Sequence, residues 1–181
     1  MMERQRLPPW HERQRLPNGR ELLIRPIRPE DAEPLRAGFP LLQPEEVRQR
    51  FAYTMGELTP ELAQRFTRVS PRSEFALVAA EPLPPGEALI GAVARVAVDA
   101  NERDGEFAIL VSSHIANMGV GRYLMTRLVK WARSRRLQQL YGEVLESNEA
   151  MIALAQSLGF TREAAKTPGL VRMTLDLREL H

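Results

Sequence analysis

Gly119-Val120-Gly121 stands at the mouth of a long run of helix-spaced apolar residues, and Glu106 opens the strand-like run before it. A helix N-terminus presents unpaired N–H groups and the positive end of the helix dipole, and together these hold anions. Glycine at that point removes the Cβ that would keep a phosphate at a distance. Arg122 and Arg127 add positive charge in the first turns, where a helix alone is better served by acids. A G-x-G also serves as a tight strand-to-helix turn, so the spacing by itself leaves turn and phosphate cradle both open. Glu106, and Glu143 and Glu146 further on, could each take a proton from a substrate. Read singly, each is a solvated strand-end carboxylate.

Several chemistries are excluded by what the chain lacks. It contains no cysteine, so there is no thiolate nucleophile, zinc thiolate or disulfide framework, and an acyl-cysteine route is ruled out by composition. His11, His114 and His181 have no ligand spacing, and no H-E-x-x-H occurs, so no metal is expected. There is no G-x-S-x-G, no P-loop and no six-residue dinucleotide fingerprint. Arg127, Lys130, Arg133, Arg135 and Arg136 read as a solvated helix face without interleaved aromatics, so no nucleic-acid partner is expected. No apolar run is long enough to span a membrane and no signal peptide opens the chain, which fits a cytoplasmic protein.

The elements that must position these residues follow from patterning. At 181 residues, 44% hydrophobic and 27% charged, the chain suits one domain with a sizeable core. Residues 1–17 stand apart: Glu3-Arg4-Gln5-Arg6-Leu7-Pro8 recurs as Glu12-Arg13-Gln14-Arg15-Leu16-Pro17, has no apolar face and reads as a mobile tail before a domain over 18–181. The patterning predicts a strand over 21–25, a short helix from Pro29 to about Gly38, a helix over 44–53, and another from Thr59-Pro60 to about Arg68. Strands over 74–80 and 88–98 flank a Pro-rich turn, and a third covers 106–111. Val120, Leu124, Leu128 and Trp131 then mark an amphipathic helix of about four turns. A strand over 139–145, a helix from Asn148 to Leu158 ended by Gly159, and a strand over 170–177 complete a mixed α/β chain. The strand–helix–strand crossover implies a parallel pair.

The order strand, G-x-G, helix, strand, then Asn148 at a helix start with Gly159-Phe160 after it, resembles the GNAT superfamily of N-acetyltransferases. Ala116-Asn117-Met118-Gly119-Val120-Gly121 falls where that family has its Q/R-x-x-G-x-G/A loop. The closer likeness is to the acetyltransferase domain of bacterial protein lysine acetyltransferases, often fused to an acyl-CoA-synthetase-like region. It shows in Ile24 through Ala32, Gly105 through Val111, Tyr141 through Leu145 and Asn148 through Phe160, and it runs from about Arg20 to Leu177. No synthetase-like region is expected in this chain.

The resemblance implies a mostly antiparallel sheet with a splayed parallel pair, flanked by helices, and acetyl-CoA as co-substrate. It implies that residues 116–122, including Arg122, cradle the diphosphate. It also implies that Ile109, Leu110 and Val111 receive the acetyl and pantetheine arm and offer a backbone N–H to the thioester carbonyl, and that Glu106 is the general base. Asn148 could cap its helix, bond the cofactor arm, or do both. Two positions depart from the family: Ala116 replaces Gln or Arg, removing one side-chain contact to phosphate, and Ala155 stands where many members carry a tyrosine that protonates the leaving thiolate. The expected acceptor is a protein lysine, with a small amine as the alternative; a non-catalytic acyl-CoA-binding module is the other class, which Ala116 would suit.

Overall fold

In the computed structural model, the structure describes residues 11–42, 59–112, 115 and 118–178. The expected helix over 44–53 and the first copy of the repeated hexapeptide lie outside the described residues.

Eight strands form one sheet: β1 (Glu12–Arg15), β2 (Glu21–Pro26), β3 (Glu74–Ala80), β4 (Ile90–Val98), β5 (Asp104–Val111), β6 (Gln139–Leu145), β7 (Thr161–Ala164) and β8 (Leu170–Asp176). Their spatial order is β1-β2-β3-β4-β5-β6-β8-β7. Every neighbouring pair is antiparallel except β5 with β6, which are parallel. The helices are α1 (Ala32–Leu42), α2 (Pro60–Thr67), α3 (Val120–Ser134) and α4 (Glu149–Ser157), with a 3₁₀ turn at Pro29–Asp31 leading into α1.

Alternation along the strands places a core on each side of the sheet. On one side Leu77, Ala79, Ala92, Ala94, Val96, Phe107, Leu140 and Met173 meet Val120, Leu124, Leu128 and Ala132 of α3 and Ile152 and Ala155 of α4. On the other, Ala76, Val78, Ala80 and Ile90 meet Ala32, Leu35 and Ala63 of α1 and α2, with Val93 and Leu110 against that cluster. Local chemistry sets the helix starts. Thr59 Oγ1 accepts from the Leu62 N–H at 3.2 Å and Pro60 fills the first turn of α2. Pro34 sits in the first turn of α1, where its missing N–H has no intrahelical acceptor to disappoint, so α1 continues past Gly38.

A buried ion pair fastens β2 to the 3₁₀ turn ahead of α1. Arg25 Nη1 and Nη2 donate to Asp31 Oδ2 and Oδ1, both at 2.8 Å, and the Arg28 N–H adds a third bond to Oδ2 at 2.8 Å. Arg25 is 1% exposed and Asp31 0%. In so dry a place the paired geometry is what makes the charges tolerable, and removing one partner would cost about 3–5 kcal/mol.

Two strands were not expected. Residues 12–15, read from sequence as the end of a mobile tail, pair antiparallel with β2 in the register Glu12↔Ile24 to Arg15↔Glu21. Arg13 and Arg15 reach Glu21 at 3.2 and 3.4 Å, and Leu16, 5% exposed, is anchored in the larger core. The strand is held by its ladder and by one following leucine rather than by an apolar face. Thr161–Ala164 likewise forms β7 on β8, although all four of its residues are exposed.

Candidate active site

β5 and β6 begin side by side and then part. Asp104, Gly105 and Glu106 pair with Gln139, Leu140 and Tyr141, and the pairing ends there although β5 continues to Val111 and β6 to Leu145. At the next position the Phe107 ring lies against Gly142: a Cβ on Gly142 would fall 2.6–2.8 Å from three ring atoms. Phe107 is 4% exposed and meets Phe160 edge-on, with ring centroids 5.5 Å apart. The other edges of the two strands stay occupied, β5 by β4 as far as Val111 and β6 by β8 as far as Leu145. A wedge-shaped opening therefore lies between strands fixed on their outer sides. Ile109, Leu110 and Val111, the residues expected to receive the acyl arm, line its β5 side and are half-buried.

The opening leads to the start of α3. Gly119 is the N-cap, with φ +89°, a left-handed conformation that glycine adopts without a steric penalty. Among the described residues beyond its two chain neighbours, no heavy atom lies within 4 Å of where its Cβ would be. As a glycine, the N-cap offers no side chain to cap the helix, and no acid occupies its first turn. The first amides of α3 have no intrahelical partner, and with no acid in the first turn this helix start suits a diphosphate. Gly121 is closer to its neighbours, with Leu154 Cδ2 3.4 Å from its would-be Cβ. Val120 is buried beneath the cradle, and Met118 is half-buried against the core. Arg122 is exposed and its Nη2 donates to Ser157 Oγ at 2.7 Å, tying the first turn of α3 to the end of α4. Ala116 and Asn117 lie outside the described residues.

Glu106 occupies the last paired position before the strands part, and its side chain is exposed. It projects from the sheet face opposite Phe107. That face also carries Tyr141 and Glu143 from β6, Arg172 and Thr174 from β8, and Glu163 from β7, as the pairing registers require. Of the competing carboxylates, Glu143 lies opposite Arg172, whereas Glu146 follows β6 and pairs with Arg162 at 3.7 Å on the surface. The alternatives for Asn148 narrow. Its Oδ1 accepts from the Met151 N–H at 3.2 Å and caps α4. Ala155 is fully buried in the core, so no hydroxyl reaches the opening from that position.

Tyr141 opens one of the family-like stretches, but nothing in the sequence assigned it or Asp99 a chemical role. The Tyr141 hydroxyl donates to Asp99 Oδ2 at 2.8 Å, and the Arg172 guanidinium lies 4.0 Å from the centre of its ring. A partner 42 residues away leaves no trace in local spacing. Among the described residues no group of three or more His, Asp and Glu side chains could hold a metal ion, and no helix is long and apolar enough to cross a membrane.

Comparison with known proteins bears on this geometry. Residues 21–161 match the sequence profile of the family described as Acetyltransferase (GNAT) domain. A Pseudomonas aeruginosa protein named as an acetyltransferase is 30% identical over 145 residues, which make up 80% of this chain and 77% of that protein. The crystal structure of the GNAT domain of S. lividans PAT superposes with a TM-score of 0.77 at 25% identity, over 92% of this chain and 97% of that one. A cAMP-binding acyltransferase from Mycobacterium smegmatis gives 0.63 at 21% identity, with 93% of this chain covering 47% of that one. A Salmonella typhimurium structure with its cofactor acetyl-CoA gives 0.56 at 21% identity, over 88% of this chain and 95% of that one. At the two lower identities the likeness is one of fold alone.

Proposed function

Because the chain belongs to the acetyltransferase (GNAT) family, and is therefore an acetyl-CoA-dependent acetyltransferase, we propose that it acetylates a protein lysine by direct attack, with Glu106 as general base. The observation that carries this reading is the position of Glu106: an exposed carboxylate at the point where β5 and β6 separate. Its likeness to lysine-acetylating members of the family, in the stretch Gly105 to Val111, supports the choice of acceptor.

A lysine amine has a pKa near 10.4, so finding it neutral at pH 7 costs about 4.6 kcal/mol. A carboxylate within hydrogen-bond reach, directly or through one water, removes the proton as attack proceeds. Acetyl-CoA, when bound, supplies the acetyl group as a thioester. The chain's part is to hold and orient. The amides of residues 118–122 would grip the diphosphate, the open edge of β5 at Ile109–Val111 would receive the arm, and a backbone N–H there would face the carbonyl oxygen as it gains charge. Coenzyme A thiol is acidic enough to leave without the tyrosine that Ala155 replaces. With no cysteine in the chain, attack within a ternary complex is the route these residues serve.

Steady-state assays of thiol release with casein, poly-L-lysine and spermidine test the acceptor class. Turnover on the first two with little on spermidine supports a protein lysine; the reverse assigns a small amine. Glu106→Gln is expected to lower kcat about 100-fold at neutral pH while leaving acetyl-CoA affinity, measured by calorimetry, unchanged. Full activity in Glu106→Gln would move the base to Glu143, to Glu146 or to water.

A further inference from the structure

Tyr141 is pinned more firmly than a wall residue needs. It is opposite Glu106 in the last pair of the parallel ladder, its hydroxyl is bound at 2.8 Å to Asp99, and Arg172 covers its ring at 4.0 Å. Arg172 is held in turn, with Nε 3.9 Å from Glu163 Oε1. Asp99 follows directly on β4, beyond Ala97, the β4 partner of Glu106. A side chain from β6 therefore reaches past β5 to a carboxylate beyond β4, and passes Glu106 on the way.

We propose that Tyr141 is a positioning residue for the transfer: by donating to Asp99 it holds that carboxylate in place and damps its charge toward Glu106, so that Glu106, and not Asp99, meets the acceptor amine. The inference rests on Glu106 as the base.

Charge around Glu106 gives the physical reason. Among the described residues, those facing it are Asp104 on its own strand, Asp99 and Arg95 from the β4 side, Tyr141 and Glu143 from β6, Arg172 from β8 and Glu163 from β7. Of these, Arg95 bonds Glu74 at 3.1 Å and the Phe66 carbonyl at 3.3 Å, beneath α2, and Arg172 contacts Tyr141 and Glu163. Asp104 accepts from Asn101 at 2.9 Å. A carboxylate beside Glu106 without that hydrogen bond would weigh more heavily against its ionised form and compete with it for the ammonium. A phenol prevents this only while it stays protonated. Burial, the bond to Asp99 and the negative charges of Glu106 and Asp99 push the Tyr141 pKa up, against a smaller opposing effect of Arg172. The donor is thus permanent across the range in which an amine acetyltransferase works.

The test is the pH dependence of kcat/KM with acetyl-CoA and poly-L-lysine. Tyr141→Phe is expected to leave the KM for acetyl-CoA unchanged, to lower kcat about tenfold, and to move the acid limb of the profile up by about one pH unit. Adding Asp99→Asn should return that limb, because a neutral amide exerts no such charge. A limb that stays in place in Tyr141→Phe, or that Asp99→Asn does not return, overturns the role of Tyr141. Should Tyr141→Phe fail to fold by circular dichroism, Asp99→Asn alone serves: it must move the acid limb down, and an unmoved limb overturns the proposal. Glu106→Gln distinguishes this failure from failure of the base. If it keeps full activity the base assignment falls; if it loses activity while Tyr141→Phe shows no shift, only the positioning role falls.

Discussion

At Gly119 the left-handed φ and the empty space beyond it have separate consequences. Any L-residue would strain the N-cap by about 1–2 kcal/mol, and any side chain would project into the cradle. Gly119→Val should therefore lose a few degrees of melting temperature and weaken acetyl-CoA binding by more than tenfold, read by calorimetry. Unchanged affinity would remove the phosphate cradle from residues 118–122. At this scale much of the candidate site was legible, because glycine at a helix mouth and a glutamate near the start of a strand are features of residue type. Tyr141 was not. Its meaning comes from a hydrogen bond across β5 to Asp99, and from a parallel register that sequence periodicity does not encode.

The parting of β5 and β6 belongs to the elements. The periodicity of 106–111, 120–131 and 139–145 foretold strand, helix and strand, whereas the place where the strands separate depends on Phe107 lying against Gly142. Gly142→Val would set a side chain within 3 Å of that ring, and overpacking of this kind costs about 1–3 kcal/mol. Both stability to urea and coenzyme A affinity should fall, and Phe107→Leu in the same protein should recover part of each by vacating the ring's space. A Gly142→Val protein of ordinary stability would show that the ring moves aside freely. The two strands that patterning missed share one cause. Glu12–Arg15 and Thr161–Ala164 carry no alternation of apolar and polar residues, so only a neighbouring strand defines them.

For the molecule as a whole, the sheet is the shared floor of two cores, and β1 closes its N-terminal edge. His11, just before β1, has its pKa lowered by burial and by the nearby Arg25 and Arg28. The unfolded chain takes up this proton near the ordinary value of 6.5, before the folded one does. His11 thus contributes stability above about pH 6.5 that is lost as pH falls toward its depressed folded value. Denaturant titrations at pH 7 and pH 5 should show a smaller loss in His11→Asn than in the unaltered protein; equal losses would assign the acid sensitivity to other groups. The outer margins of the sheet have a different consequence. One ends on Glu-Arg-Gln-Arg and the other on Thr-Arg-Glu-Ala, each with charged side chains beside its backbone. A stray strand seeking to template on either rim must first strip water from guanidinium and carboxylate groups, so the protein is guarded against fibrous stacking even when concentrated.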